Sequence, residues 1–168
     1  DYGVGAGEHL AKVHLPEAAP AALDDPGLGD LLDQHIAGGL LPPPTADIIY
    51  MIHISPETVF DDGDGFLLCD DYLGYHYQHT GPNGTLTYGI IGDCETGIDE
   101  LTATFAHEYI EASTDPGESG GFYLQLAKTS PWFALDGLEN ADLCDDAPYV
   151  MEAGFTYQRS WSNVAAAA

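Results

Sequence analysis

Basic residues are almost absent from this chain of 168 residues, which has only Lys12, Lys128 and Arg159 against 28 acidic residues. The formal net charge is therefore -25 at pH 7. Such a surface repels the phosphates of nucleic acids and of anionic lipids, so we expect neither a nucleic-acid partner nor a membrane partner. Self-repulsion falls when carboxylates are protonated, when salt screens them or when cations bind, which favours an acidic or saline extracellular setting.

Long apolar runs are missing as well. No stretch approaches the ~18 consecutive apolar residues of a membrane-spanning helix, yet 45% of the residues are hydrophobic, which suffices for a packed core. We expect one domain over residues 1–168, monomeric, with an extended N-terminal segment over residues 1–22 that is rich in Gly, Ala and Pro. No basic and apolar leader opens the chain, which fits either a cytosolic protein or a mature, processed secreted one, and we expect the second.

Cysteines are few and are not spaced for metal binding. Cys69, Cys94 and Cys144 form no Cys-x-x-Cys pair, which argues against a structural zinc knuckle. They allow one disulfide and one remaining thiol, in three alternative pairings. The triplet Asn83-Gly84-Thr85 is an N-glycosylation sequon within a turn-forming run, so Asn83 is a candidate glycosylation site of a secreted glycoprotein.

Two common catalytic motifs are absent from the sequence. There is no Gly-x-Ser-x-Gly elbow, the strand-to-helix turn that presents a nucleophilic serine. No glycine-rich phosphate loop stands between a predicted strand and a predicted helix. We therefore expect neither serine-hydrolase chemistry nor nucleotide chemistry.

The hydrophobic pattern predicts an α+β domain. Apolar residues after Pro26 have helical spacing as far as the Gly38-Gly39 pair. A continuous β-branched run is typical of a strand buried on both faces, and two aromatic runs around a Gly-Pro-Asn-Gly turn predict a β-hairpin. The predicted strands are residues 48–54, the hairpin strands 72–79 and 85–91, and short strands at 122–126 and 155–161.

A second helix is predicted over residues 98–113, because acidic residues fall in its first turn and Asp115-Pro116-Gly117 follows its end. It carries the motif His-Glu-Tyr-Ile-Glu. Residues four apart share one face of a helix, so His107 and Glu111 can bind one cation while Glu108 lies beside them. This is the zincin helix H-E-x-x-H with Glu in place of the second His. The alternative is a solvated acidic helix face.

A mononuclear catalytic zinc needs a third protein ligand, and the acidic segment around residues 138–144 offers two candidates. Gluzincin-type metallopeptidases place a ligating Glu on a second helix downstream of the first, near an Asp that orients a ligating His. We therefore expect Glu139 to be the third ligand and Asp142 to be the orienting residue, with exchanged roles as one alternative. Surface acids in a loop are the other alternative.

Five motifs follow one another between residues 28 and 163 in the order of a known family. They are Ile-Tyr-Met-Ile at 49–52, Gly-Tyr-His at 74–76, H-E-x-x-E-A-x-T-D-P at 107–116, a run ending Ala-Asp-Leu-Cys at 139–144, and Tyr-Gln-Arg-Ser-Trp-Ser-Asn at 157–163. Together they resemble secreted proteins of the plant EXORDIUM (phosphate-induced protein) type and their fungal and bacterial relatives. The resemblance implies an extracellular single domain with a zincin-like helix in which His107, Glu108 and Glu111 are the metal and base positions.

His76 is a further candidate, in a run of alternating aromatic and polar residues. Strand alternation puts Tyr75, Tyr77 and His79 on one face and His76 with Gln78 on the other. His76 is therefore an alternative third ligand, or a group that polarises a scissile carbonyl. A packed, hydrogen-bonded histidine is the competing interpretation.

The acidic run Asp61-Asp62-Gly63-Asp64-Gly65 is a candidate calcium loop. Its oxygen ligands are closely spaced and its glycines permit a tight turn. It lacks the 12-residue length and the terminal Glu of an EF-hand. The competing interpretation is a plain acidic turn.

These observations predict a secreted zinc metallopeptidase with an α+β, zincin-like fold, in which a mixed β-sheet, an active-site helix and a second motif-bearing segment form the site. Zinc is the expected cofactor, with calcium as the alternative, and the expected partner is a peptide or protein substrate. Glu108 is the expected general base. The rival is a non-enzymatic extracellular metal-binding module for signalling or binding, because one His and two carboxylates cancel the metal's charge and acidify water less than two His and one carboxylate.

Overall fold

The computed structural model describes residues 3–117 and 121–167. Two short 3-10 helices span Phe133–Leu135 and Asp142–Cys144. The combination of helices with small mixed sheets confirms the α+β class. In chain order the other elements are β1 (Ala22–Asp24), α1 (Asp25–Ala37), β2 (Ile49–Ile54), β3 (Val59–Asp61), β4 (Gly74–Gly81), β5 (Gly84–Gly92), α2 (Ile98–Thr114), β6 (Val150–Glu152), β7 (Phe155–Tyr157) and α3 (Asn163–Ala166).

A three-stranded sheet in the order β2-β5-β4 forms the centre of the structure. β5 runs parallel to β2 and antiparallel to β4, which confirms the predicted hairpin. Gly81 pairs with Gly84 across a two-residue turn, and Gly84 has a φ of 116°, a value that favours glycine. β2 lies at an edge of this sheet and His53 is exposed, so β2 is not buried on both faces as predicted. The central strand is β5.

α1 covers one face of the sheet. The side chain of Asp24 caps its first turn by accepting a hydrogen bond from the Gly27 N–H, and Gly38 follows its end. Successive residues of a strand point to opposite faces, so alternate residues of β5 meet this helix. The core on this side contains Leu28, Leu32 and Ile36 of α1 together with Tyr50, Ile54, Phe60, Leu86, Tyr88 and Ile90.

α2 covers the opposite face, and the side chain of Glu108 lies close to the backbone of the sheet. A Cβ on Gly74 would lie 3.1 Å from Cγ of Glu108, and one on Gly89 would lie 3.6 Å from its Cβ. The two glycines therefore leave room for Glu108 against the sheet. Glu108 is 5% exposed and Glu111 3%. The solvated acidic face considered from the sequence is wrong for these two residues.

A disulfide joins Cys69 to Cys94, and Cys144 is a free, half-buried thiol. The bridge ties the loop before β4 to the loop after β5. It selects one of the three pairings that the sequence left open. Among the described residues, no helix has the length and apolar character needed to cross a bilayer.

Two of the predicted short strands are shorter than expected. Over residues 122–126 the chain forms only one β-bridge, between Tyr123 and Glu139, because the partner segment turns away through a 3-10 helix. β7 ends at Tyr157, and beyond it the N–H of Trp161 donates to the carbonyl of Asn140 instead of continuing a ladder. Residues 3–21 contain no helix or strand, and β1 begins at Ala22, the last residue of the segment that the sequence predicts to be extended.

Candidate functional site

The carboxylate of Glu111 is the centre of the candidate site. Its Oε1 accepts hydrogen bonds from the backbone N–H groups of Ala141, at 3.0 Å, and Asp142, at 3.1 Å. These two donors fix the orientation of the carboxylate, and its Oε2 lies 2.9 Å from Nε2 of His107. The i, i+4 pair predicted from the sequence is therefore formed. It also attaches the 3-10 helix Asp142–Cys144 to α2.

Asp142 completes a first group of donor atoms. Its Oδ1 lies 3.4 Å from Nε2 of His107, while its Oδ2 accepts the N–H of Glu139 at 3.1 Å. One ligand atom from each of His107, Glu111 and Asp142 lies within 4.8 Å of the other two. Imidazole nitrogen and carboxylate oxygen are ordinary zinc ligands in proteins. The three side chains can therefore hold one cation.

His76 brings a second group of donor atoms to the same carboxylate. Its Nδ1 lies 3.3 Å from Oε2 of Glu108 and 3.9 Å from Oε2 of Glu111. Its Nε2 donates to the carbonyl of Asp115 at 2.8 Å. These contacts confirm that His76 faces α2, whereas its neighbour Tyr75 bonds to α1 on the other face. Ligand atoms of His76, Glu108 and Glu111 also lie within 4.8 Å of one another.

Glu139 lies beside His76 and not beside His107. Its Oε2 is 3.5 Å from Nε2 of His76. Within the described ranges, the donor group of His107 contains Asp142 and does not contain Glu139. The structure thus places Asp142, and not Glu139, beside His107, because the N–H bonds of residues 141 and 142 to Glu111 bring Asp142 over α2. Glu139, three residues earlier, is left on the side of β4.

The charges of His107 and Asp142 depend on each other. Burial lowers the pKa of His107, but its hydrogen bonds with Asp142 and Glu111 outweigh burial and raise this pKa to about 11. The same contact with His107 lowers the pKa of Asp142. In the metal-free protein His107 is therefore an imidazolium at neutral pH. A metal ion that binds here must displace its proton.

The neighbouring acids have raised pKa values. Burial raises the pKa of Glu108, and His76 and His107 only partly offset this effect. Burial also raises the pKa of Glu139 to about 8; His76 lowers it, while the charges of Glu111 and Asp115 raise it further. Carboxyl groups shifted towards neutrality are suited to accept and return a proton.

The pKa of His76 is raised overall. Burial alone lowers it, but the hydrogen bond to Glu108 and the charges of Glu139, Glu108 and Glu111 outweigh burial. The ring lies between Oε2 of Glu108, 3.3 Å from Nδ1, and the backbone carbonyl of Asp115, which accepts from Nε2 at 2.8 Å. His76 is held in place from both sides.

A cleft of about 290 Å³ opens beside His76 and Glu139. Tyr77, Asp115 and Tyr123 are also part of its wall. It adjoins a depression of about 500 Å³ along residues 123–127, since both are lined by Tyr123 and by Gly137. Asp115 and Tyr123 are not predicted as site residues from the sequence, because the pattern around Asp115 is that of a helix end and the pattern around Tyr123 is that of a strand. Nothing in their local sequence signals a cleft.

Asn83, the candidate glycosylation site, lies at the opposite face of the sheet. Its Nδ2 donates to the backbone carbonyl of Asp33 at 2.9 Å and to Oδ1 of Asp33 at 2.7 Å. A glycan on Nδ2 replaces one of its two hydrogens, so only one of these bonds could persist in a glycosylated chain. The side chain fastens the β4–β5 turn to α1.

The acidic run at residues 61–65 forms a self-capped turn. The Oδ1 of Asp61 accepts the N–H groups of Gly63 and Gly65, and the Oδ1 of Asp62 accepts those of Asp64 and Phe66. In the part of the chain that the structure describes, no group of three side chains with closely spaced metal-ligand atoms includes a residue of this run. The arrangement favours the plain acidic turn over a calcium loop.

Comparison of the chain with protein-family models, with curated proteins and with solved structures gave no match. The resemblance to EXORDIUM-type proteins therefore rests on the five sequence motifs alone. Function is inferred from the residues of the site, since a fold by itself does not specify one.

Proposed function

We propose that the chain is a secreted zinc-dependent metallopeptidase of zincin-like architecture, in which α2 supplies two metal ligands and the general base. The observation that carries the proposal is the convergence of donor atoms from His107, Glu111 and Asp142 beside the buried carboxylate of Glu108. Three protein ligands with a further open position are what a catalytic zinc requires. The Cys69–Cys94 disulfide is compatible with an extracellular location.

The donor set fits zinc by its chemistry and its charge. The side chains of His107 and Glu111 are 17% and 4% exposed, so an ion between them exchanges water for protein ligands. In this cluster the carboxylates outnumber the two imidazoles, those of His76 and His107. A divalent cation offsets the excess negative charge. When bound, the metal supplies Lewis-acid chemistry, which polarises a carbonyl and acidifies water. The carboxylates are those of Glu108, Glu111, Glu139 and Asp142.

Glu108 is the general base in this proposal. Its carboxylate takes the proton of the attacking water and later gives it to the nitrogen of the leaving amine. Both transfers need a carboxyl whose protonated and ionised forms are close in free energy. Burial against the glycines of β4 and β5 raises the pKa of Glu108, which brings the free energies of its protonated and ionised forms closer together near neutral pH.

His76 is a positioning residue for Glu108. Its ring is held between the carboxylate of Glu108 and the backbone carbonyl of Asp115, so it fixes the direction of that carboxylate. His76 also lines the cleft, but both of its ring nitrogens already have partners within the protein, which favours the positioning role over the polarising role considered for it from the sequence.

A non-enzymatic metal-binding module is the second candidate. One imidazole and the two carboxylates of Glu111 and Asp142 cancel the charge of a divalent metal, so water there is acidified less than in a site with two histidines. A closed shell of six or seven oxygens around calcium would favour this module, whereas a four-coordinate zinc with an open position favours the enzyme.

The peptidase proposal is tested with the zinc-loaded protein and a mixed peptide library from about pH 3 to pH 8. Glu108→Gln keeps the shape of the side chain but cannot accept a proton, so we expect activity to fall on the order of 10²-fold or more at unchanged zinc content. Glu100→Gln is the matched control, about two turns away on the same helix, where glutamine can still accept the 3.3 Å bond from Tyr149.

Two outcomes would overturn the peptidase proposal. One is a zinc-loaded wild type that cleaves no peptide at any of these pH values. The other is a Glu108→Gln variant as active as Glu100→Gln. Either result, with zinc still bound, would leave the metal-binding module as the function.

A further inference from the structure

We infer that the C-terminal motif at residues 157–163 is a positioning element for the metal ligands of α2, with Gln158 and Trp161 as its two donors. The motif holds none of the proposed ligands itself. It acts through the two peptide units between Asn140 and Asp142, which are bonded to the motif on one side and to α2 on the other. The bonds are independent of function, whereas their effect on zinc rests on the proposed function.

The first peptide unit joins Asn140 to Ala141. Its carbonyl accepts the backbone N–H of Trp161 at 3.0 Å, and its N–H donates to Oε1 of Glu111 at 3.0 Å. The carbonyl and the N–H of a trans peptide point in opposite directions, because the peptide is planar. This unit is therefore held from two opposite sides, by the C-terminal motif and by the proposed ligand on α2.

The second peptide unit, between Ala141 and Asp142, repeats this arrangement. Its carbonyl accepts a hydrogen bond from Nε2 of Gln158 at 3.2 Å, and its N–H donates to the same Oε1 of Glu111 at 3.1 Å. Two bonds from the motif thus lie directly behind the two bonds that orient the carboxylate of Glu111. Hydrogen bonds in such a chain polarise one another, so loss of an outer bond weakens the inner one.

The segment between the motif and α2 is shielded from water. Asn140 is 2% exposed and Ala141 0%. A buried carbonyl needs a partner within the protein, because water cannot replace a lost donor there. Gln158 is half-buried and supplies this donor for Ala141. Without it the carbonyl would lose its donor, and the peptide unit would have to turn to find another.

A turn of this peptide unit would displace two proposed ligands at once. The N–H of Asp142 helps to fix Oε1 of Glu111, which leaves Oε2 at 2.9 Å from Nε2 of His107. The side chain of Asp142 starts from the same residue and brings its Oδ1 to 3.4 Å from that nitrogen. Groups that orient metal ligands change metal affinity without touching the metal. The motif therefore acts on the metal through Glu111 and Asp142.

The motif is itself attached to the rest of the domain. β7, which ends at Tyr157, pairs with β6, and Nε of Arg159 donates to the carbonyl of Pro148 at 3.1 Å. Immediately before the motif, Oγ1 of Thr156 donates to Oδ1 of Asp99 in the first turn of α2 at 2.7 Å. These contacts hold the motif against the same helix that carries the proposed ligands, so it can serve as a fixed support for them.

The first measurement is amide hydrogen exchange of the metal-free protein, followed for each residue by NMR. Gln158→Met keeps the length of the side chain but removes its donor, so we expect the N–H groups of Ala141 and Asp142 to exchange roughly 3- to 10-fold faster than in the wild type. Thr156→Val is the matched control, since it removes a side-chain bond two residues away that ends on Asp99 and not at the site. It should leave both exchange rates unchanged.

The second measurement is zinc affinity, by competition with a chelator of known affinity. We expect Gln158→Met to bind zinc roughly 10-fold more weakly than the wild type, and Thr156→Val to keep the wild-type affinity. A merely structural role of Gln158 would instead make the affinities of the two variants follow their losses of thermal stability. Gln158→Asn keeps the amide but is one carbon shorter, so it provides the same test if Gln158→Met fails to fold.

The outcomes separate this inference from the peptidase proposal, because amide exchange is measured without metal and without catalysis. Faster exchange at Ala141 and Asp142 in a protein whose wild type binds no zinc would support the positioning of Glu111 and overturn the zinc site. Unchanged exchange in the Gln158 variants would overturn the inference. Equal zinc affinities of the wild type, Gln158→Met and Thr156→Val would also overturn it, while the zinc site itself would stand.

Discussion

Nε2 of His107 lies 2.9 Å from Oε2 of Glu111, one helical turn further along α2. The other oxygen of Glu111 is held by the N–H groups of Ala141 and Asp142. This one carboxylate therefore joins the zincin-type helix to the segment that carries Asp142. A divalent cation bound by His107, Glu111 and Asp142 would stabilise both the site and this connection.

The first prediction concerns metal content. We expect one zinc ion per chain after dialysis, measured by elemental analysis, and we expect His107→Ala to abolish stoichiometric binding because it removes the imidazole ligand. His9→Ala is the control, since His9 is exposed and outside the site. Undiminished metal in the His107 variant would refute the assignment, and two ions per chain would show that the group of His76, Glu108 and Glu111 binds its own ion.

The second prediction separates Asp142 from Glu139. Asp142→Asn should reduce zinc affinity at least ~10-fold more than Glu139→Gln, because only Asp142 shares a donor group with His107. Competition with a chelator of known affinity measures both variants, and each serves as the control for the other. The reverse order of affinities would restore Glu139 as the third ligand.

The third prediction is that the metal-free protein is most stable in mild acid. Folding raises the pKa of His107 from 6.5 to about 11. Its contribution to the free energy of unfolding is therefore complete below pH 6.5 and is lost as pH rises through 11. Folding also raises the pKa of Glu139, from 4.5 to about 8. Its contribution to the free energy of unfolding is therefore complete below pH 4.5 and is lost as pH rises through 8. The pKa of Asp142 is lowered below 3.8, so its contribution is present above 3.8 and is lost on acidification.

Melting temperatures of the metal-free protein from about pH 3 to pH 10 check this prediction. The maximum is expected between 3.8 and 4.5, where the contributions of His107 and Glu139 are complete and that of Asp142 is present, and His107→Gln should flatten the alkaline decline. Zinc should move the maximum upwards, because His107 must lose its proton to bind the metal. A metal-free protein that is most stable near pH 8 would show that these pairs do not control its stability.

The fourth prediction concerns Asn83. Asn83→Ala leaves the buried carboxylate of Asp33 with only the 3.0 Å bond from His79, so we expect it to lower the free energy of unfolding by about 1–3 kcal/mol. Thr85→Ala destroys the same sequon without touching Asp33 and should cost less than ~1 kcal/mol. Urea unfolding compares the two variants. A fully glycosylated protein that is as stable as Thr85→Ala would contradict the anchoring role of Asn83.

Sequence patterns predict the elements whose signals are local. α1 begins near Pro26 and ends before the glycine pair, the β4–β5 hairpin surrounds its turn residues, and α2 ends before Asp115. The i, i+4 pair on α2 is equally local, because helical geometry alone brings the two side chains together. These features follow from spacing and turn chemistry without knowledge of the rest of the chain.

The features that sequence patterns cannot predict depend on tertiary contacts. Glu139 and Asp142 are three residues apart in an irregular segment, and the backbone bonds of this segment to Glu111 decide which of them meets His107. The disulfide partner of Cys69 follows from the proximity of two loops at one end of the sheet. The position of Asp115 in the wall of the cleft depends on contacts between segments that are distant in the sequence.

Anomalous scattering at the zinc absorption edge from crystals of the zinc-loaded protein tests the central claim most directly. We predict a single strong peak within bonding distance of Nε2 of His107, Oε2 of Glu111 and Oδ1 of Asp142, with one coordination position not filled by protein and Glu108 beside it. No peak among these three atoms, or an ion enclosed by six or seven oxygens as calcium prefers, would contradict the proposed zinc metallopeptidase.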